Sequence, residues 1–231
     1  YKDNIKNHIK PALGAVKLDA LTAHAIQKFY NSLSKPASDG GKGLSPKTVR
    51  CIHGVLHKAL QQAISVNYIR VNPTDGCILP HLVKPEIKPL DEQDTTRFLQ
   101  AIKGNPFETI FLVTIFTGMR KGEVLGLTWD CVNFTAGTIL VNKQLQADTA
   151  NGRKYNLVPT KNSKGRVITP APYVMQLLRT HRSHQSETRL TAGPAWEDTG
   201  LVFTNGLGSH LSPHTVYHHF KRIVASIGLP N

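Results

Sequence analysis

The chain has 231 residues, 40% of them apolar, enough to bury a real core as one large or two small domains. No apolar run is long enough to span a membrane, and Tyr1-Lys2-Asp3-Asn4 lacks the character of a signal peptide and reads as the interior of a longer protein. The formal charge is +13, with twelve basic and five acidic residues over 1–86 and sixteen against ten over 87–231, so a polyanion touching both halves, DNA or RNA, is the expected partner.

In chain order, the first part reads as all helix. Ile5 and Ile9 lie one helical turn apart, and Pro11 and Gly14 are expected to stop that helix. Thr22 is a candidate N-cap for a stripe of Ile26, Phe29, Tyr30 and Leu33. Residues 35–44 form a polar, glycine-containing loop. Ser45-Pro46 then opens the clearest helix, whose apolar face runs through Val49, Ile52, Val55, Leu56, Ala59, Leu60, Ala63 and Ile64. A short helical extension is expected to end at Asn72-Pro73. Pro80, Pro85 and Pro89 oppose both helix and sheet pairing, which places a linker at 85–89 between units 1–84 and 90–231.

Asp91 caps the next helix, which runs through Ile102. The segment from Phe107 to Phe116 is apolar nearly all round and is expected to be buried, its aromatics included. Gly118 breaks it, and a short helix begins near Arg120. Strands are expected at 137–141, 155–160 and 166–168, with Asn162-Ser163-Lys164-Gly165 as the turn joining the last two. Helix returns after Pro172, a short strand covers 201–203, and Ser212-Pro213 opens a last helix that Gly228 ends. The fold class is an all-α unit followed by a mixed α+β unit with a small antiparallel sheet.

Cys51, Cys77 and Cys131 have no paired spacing and fit free thiols in a reducing cytoplasm. His53 and His57 lie one helical turn apart, as do His214 and His218. Neither pair has a Cys or carboxylate spaced to complete a zinc site, so no metal is expected.

The strongest signal is Thr117-Gly118-Met119-Arg120-Lys121-Gly122-Glu123-Val124-Leu125-Gly126-Leu127-Thr128-Trp129-Asp130. Gly118 permits a sharp reversal. Arg120 then falls in the first turn of a helix, where free N–H groups favour a phosphate. Its guanidinium can bind two phosphoryl oxygens in a fixed fork, which a lysine cannot. Glu123, three residues on, lies on the same helical face and can hold the arginine. By spacing alone, an ordinary surface Arg–Glu pair is the commoner meaning. A second segment, Pro159-Thr160-Lys161-Asn162-Ser163-Lys164-Gly165-Arg166-Val167-Ile168-Thr169-Pro170, has the form of a basic hairpin.

The first segment resembles the arginine box of tyrosine recombinases, the phage-integrase family, and the second resembles that family's lysine hairpin. The resemblance covers nearly the whole chain: 1–84 is similar to the helical core-binding domain and 90–231 to the start of the catalytic domain. It implies a C-shaped clamp on duplex DNA and strand cutting and rejoining through a 3′-phosphotyrosine, without cofactor. Arg120 would stabilise charge on the phosphoryl oxygens and Glu123 would support it. Lys161 would protonate the leaving 5′-oxygen, with Lys164 a close rival by register. Lys47, Thr48, Arg50 and His53 on the capped helix, Lys121, Lys164 and Arg166 around the two boxes, and His210, Ser212 and His214 at the last helix are the expected DNA contacts.

The family's His-x-x-Arg box and tyrosine nucleophile follow a helix ending in Gly-Leu-Pro, which here is Gly228-Leu229-Pro230. His219-Phe220-Lys221-Arg222 matches the letters but sits inside that helix, too early, and Tyr217 is not taken as the nucleophile. A fragment lacking its nucleophile is therefore expected, inactive and monomeric by itself. The full-length protein would form a homo-tetramer on paired DNA sites. The alternative is a non-catalytic, sequence-specific DNA-binding protein derived from the family.

Overall fold

The computed structural model describes residues 1–40, 42–83, 89–148, 154–160 and 164–229. It divides into two compact units, Tyr1–Ile87 and Lys88–Asn231. The expected linker at 85–89 falls almost wholly outside the described residues.

The first unit is helical. Its opening stretch comprises α1 (Lys2–Asn4), five residues of wider π-type turn at Ile5–Ile9 and α2 (Lys10–Leu13). Pro11 does not stop this stretch, contrary to expectation. Lacking an N–H, it cannot donate to Asn7 O, and the Lys42 ammonium donates to that carbonyl instead at 3.0 Å. Thr22 caps α3 (Ala23–Ser34), its hydroxyl accepting from Ala25 N at 3.2 Å. Ser45 caps α4 (Pro46–Ser65), accepting from Thr48 N at 3.3 Å. The apolar faces of these two helices form the core, with Ile26, Tyr30, Leu33, Val49 and Ile52 at most 1% exposed.

The helical extension expected before Asn72 is absent: α4 ends at Ser65, and turns follow. They are pinned to α4 by polar bonds. His57 Nδ1 lies 2.9 Å from Thr74 Oγ1, and the buried Asn72 amide donates to His57 O at 3.3 Å.

In the second unit, Asp91 caps α5 (Glu92–Ala101), accepting from Asp94 N at 2.7 Å. Next comes α6 (Glu108–Thr117), which ends at Gly118 in the left-handed region with φ +64°. The helix is only partly enclosed. Ile110 to Val113 are buried, but Ile115 and Phe116 are 41% and 45% exposed, so Phe116 is not core as expected. After it come α7 (Lys121–Leu125), β1 (Val132–Asn133), β2 (Thr138–Val141), β3 (Lys143–Asp148), β4 (Lys154–Pro159), β5 (Arg166–Ile168), α8 (Pro172–Ala192) and α9 (Pro213–Ser226).

The strands pair differently from expectation. β4 and β5 do not form a ladder with each other. β4 pairs antiparallel with β3, while β5 pairs with β2 in a sheet ordered β1-β2-β5. β3 was not anticipated because Lys-Gln-Leu-Gln-Ala-Asp offers a single large apolar residue, Leu145, which is buried. Leu201 makes only an isolated bridge with Thr128, in place of the expected strand at 201–203.

The seat of β3 against α7 is glycine-dependent. A Cβ on Gly126 would lie 2.5 Å from Leu145 N and 2.8 Å from Gln144 C, both backbone atoms that cannot swing aside. Gly54, on exposed α4 surface, has nothing within 4 Å of such a Cβ. Gly126→Ala is expected to lower the unfolding free energy by at least about 1–3 kcal/mol through overpacking. Gly54→Ala is expected to raise it by roughly 0.5–1 kcal/mol through lower backbone entropy in the unfolded chain. Urea melts of the two variants check both signs.

Candidate active site

Glu123 is the centre of the site. It lies in the five-residue α7 and is 2% exposed. Its carboxylate accepts four hydrogen bonds. Arg120 N donates to Oε2 at 2.9 Å and Arg120 Nη1 to Oε1 at 3.0 Å. Arg166 Nη1 donates to Oε1 at 3.0 Å and Arg166 Nη2 to Oε2 at 2.7 Å. The hydrogen bonds and charge from Arg166, with those from Arg120, hold the Glu123 carboxyl at about 2, although burial pulls it upward.

Local structure explains the convergence. Gly118 turns the chain out of α6, and Arg120 adopts extended backbone as the residue before α7 rather than entering its first turn. Glu123 then reaches back to the Arg120 N–H, closing the helix start. Arg166 begins β5, opposite Val141 of β2, two residues before the half-buried Ile168. Strand alternation puts these two on one face and exposed Val167 on the other.

The two arginines are engaged differently. The Arg120 side chain is 77% exposed and meets Glu123 through Nη1 alone. Its Nε and Nη2, the side-on fork that fits two oxygens of a phosphate, have no partner among the described residues. Arg166 is 41% exposed and turns both terminal nitrogens onto Glu123. Two cations on one anion leave a net positive charge at the site, beside the open side-on fork of Arg120.

The sequence of residues 88–230 matches the profile of the Phage integrase family, and residues 1–34 match that of the phage integrase N-terminal SAM-like domain. The chain belongs to the phage integrase family. A tyrosine recombinase XerC-like protein of Caldanaerobacter subterraneus subsp. tengcongensis is 27% identical over 248 residues, an alignment covering 100% of this chain and 62% of that protein. The Tn1549 transposon integrase in complex with transposon right end DNA superposes with a TM-score of 0.81 at 22% identity, over 97% of this chain and 70% of the other. A lambda integrase tetramer bound to a Holliday junction gives a TM-score of 0.62 at 18% identity, over 100% and 60% of the two chains. The chain thus spans about 62% of the length of its curated relative and has an integrase-like fold, helical with a small antiparallel sheet.

The other residues expected at an integrase site fall as follows. Lys161 lies outside the described residues. Its rival Lys164 is exposed, and its carbonyl accepts from the buried Thr160 hydroxyl at 3.0 Å. Lys121 lies over the Tyr217 ring, 5.0 Å from its centroid, and Lys221 is on the same ring at 5.8 Å. Near α9, His210 packs on Tyr155 with centroids 4.6 Å apart. Ser212 caps the helix, accepting from Thr215 N at 3.5 Å. His214 Nε2 is 2.8 Å from His218 Nε2. Among the described residues, no group of three or more His, Cys, Asp or Glu side chains is placed to hold a metal ion.

In the first unit, Lys47 is exposed and the Thr48 hydroxyl lies 2.9 Å from Ser45 Oγ. Arg50 Nε donates to Pro80 O at 2.9 Å, and His53 Nδ1 is 3.1 Å from Tyr30 Oη. These last two are held by the protein itself. The grip of Arg166 on Glu123 escaped sequence reasoning because no short-range spacing links residues 43 apart.

Because the folded Glu123 carboxyl lies near 2 and its ordinary value is 4.5, its contribution is complete above pH 4.5 and fades as pH falls towards 2. At about 1.4 kcal/mol per pH unit, that contribution is about 3 kcal/mol. Glu123→Gln is expected to unfold about 3 kcal/mol more easily than the native protein at pH 7, the gap shrinking between pH 4.5 and 2. Urea melts across this range check it; a gap independent of pH would contradict the assignment.

Proposed function

We propose that this chain is the DNA-gripping and phosphate-activating part of a site-specific tyrosine recombinase, which cuts and rejoins duplex DNA through a 3′-phosphotyrosine link. The carrying observation is the open Nε/Nη2 fork of Arg120, fixed by a buried carboxylate that is itself fully hydrogen-bonded. Such a guanidinium stabilises charge that grows on the phosphoryl oxygens during attack, and a donor of this kind is worth on the order of 3–4 kcal/mol of barrier. The energy of the phosphodiester is kept in the covalent link, so the reaction needs no cofactor.

In this reading Lys161 protonates the leaving 5′-oxygen. Duplex DNA meets positive charge on both units, through Lys47 and Thr48 in the first and Lys121, Lys164, His210, Ser212 and His214 in the second. The whole protein works in the cytoplasm as a homo-tetramer on paired DNA sites. Support comes from the family match, from relatives solved on DNA, including a tetramer on a Holliday junction, and from the spread of the +13 charge.

The test uses the protein that carries this chain together with its nucleophilic tyrosine, on two substrates: ordinary duplex, and one with sulfur replacing the bridging 5′-oxygen, whose leaving group needs no proton. Arg120→Ala is expected to cleave both at least about 100-fold more slowly than the native protein. Lys161→Ala is expected to fail on the ordinary substrate and recover on the sulfur one. Recovery by Lys164→Ala, with normal activity of Lys161→Ala, would move the general acid to Lys164. Undiminished cleavage by Arg120→Ala would remove the strand-cutting role assigned to this site.

A further inference from the structure

We propose that Arg166 is a positioning residue, acting on DNA through Glu123 and Arg120 rather than by a phosphate contact of its own. The inference rests on the DNA-binding reading above and goes beyond it, since a basic residue beside the site would otherwise be counted as one more phosphate ligand.

The argument is one of donors and acceptors. A guanidinium binds a carboxylate or phosphate best through a pair of parallel N–H bonds. Arg166 directs its end-on pair at both oxygens of Glu123, at 3.0 and 2.7 Å. The 2.7 Å bond is the shortest of the four that the carboxylate accepts. Arg120 gives Glu123 a single side-chain bond and keeps its side-on pair open. Its side chain is 77% exposed against 41% for Arg166. One arginine faces solvent with a vacant fork, and the other has its end-on fork closed on the buried anion.

Burial makes the second arginine necessary. A carboxylate 2% exposed has lost nearly all of its water, and a buried charge must be balanced and hydrogen-bonded within the protein. Arg120 alone would have to do both, and Glu123 would then draw the guanidinium that should meet the phosphate. With Arg166 closing on both oxygens, Glu123 can fix the Arg120 backbone and one of its nitrogens without claiming the rest. β5 is suited to this task because its ladder with β2, Val141 opposite Arg166, fixes where the guanidinium starts.

A double-mutant cycle separates the alternatives. The chain is titrated with a fluorescent duplex by anisotropy across a salt series, with Arg120→Ala, Arg166→Gln and the double variant alongside. Each phosphate contact contributes about 0.9 to the slope of log affinity against log salt. If Arg166 acts through Arg120, each single variant lowers the slope by roughly 0.9, and the double variant lowers it no further. The double variant then binds within about twofold of Arg120→Ala.

Additive losses, with a double-variant slope lower by roughly 1.8, would show Arg166 holding its own phosphate and overturn the proposal. So would unchanged binding by Arg166→Gln. Should Arg166→Gln lack a cooperative melt, Arg166→Lys, which keeps a cation beside Glu123, takes its place in the cycle. A loss in the native background that vanishes in the Arg120→Ala background supports the proposal; an equal loss in both, or none, overturns it. Failure of the native chain to bind duplex at any salt would remove the DNA reading itself, and this inference with it.

Discussion

A carboxylate cut off from water, as Glu123 is, must find its hydrogen bonds within the protein, and much of the second unit's local geometry meets that demand. The backbone N–H of Arg120, one nitrogen of its guanidinium and both terminal nitrogens of Arg166 converge on two oxygens. The result is a fixed arginine with an open fork. A lone surface ion pair would not achieve this, because two long side chains in water lose more freedom than a screened attraction restores. Burial and multiplicity turn a pair of modest value into a rigid mount.

The mount depends on backbone features that carry no charge. Gly118, in the left-handed region, reverses the chain between α6 and α7 and sets Arg120 at the start of the short helix. Gly126 lets β3 lie against α7 at a distance a side chain would forbid. β5 brings Arg166 in by pairing with β2. Thr160, at the close of β4, bonds across to Lys164 and Asn142, so the described residues on either side of 161–163 are tied to each other and to the end of β2. Two segments distant in sequence, Arg120–Glu123 and β5, meet at one carboxylate because a turn fixes one approach and a ladder the other.

What the sequence disclosed follows from how local each signal is. Thr22, Ser45, Asp91 and Ser212 act as N-caps in the structure because a cap is decided within four residues. The Arg120–Glu123 contact is likewise an i,i+3 relation and was legible. The clasp of Arg166 was not, since it depends on which strand β5 joins. β3, rich in Gln and Lys, hid that pairing by lacking an alternating apolar pattern. Pro11 misled for the opposite reason. It removes one local hydrogen bond, but Lys42 supplies a donor from 31 residues away, which no short window reveals. Phe116 shows the limit of reading burial from apolar character alone, since nothing local says whether a neighbour covers it.

The most direct test of the central claim is to follow the carboxyl carbon of Glu123 by NMR as pH falls, in the chain free of DNA. A buried carboxylate bonded by two guanidiniums titrates far below the ordinary range, with a midpoint at about 2 and no change through pH 4.5. A midpoint at or above the ordinary carboxylate value would mean that burial outweighs the arginines, that Glu123 becomes protonated readily, and that Arg120 is not held in the manner described.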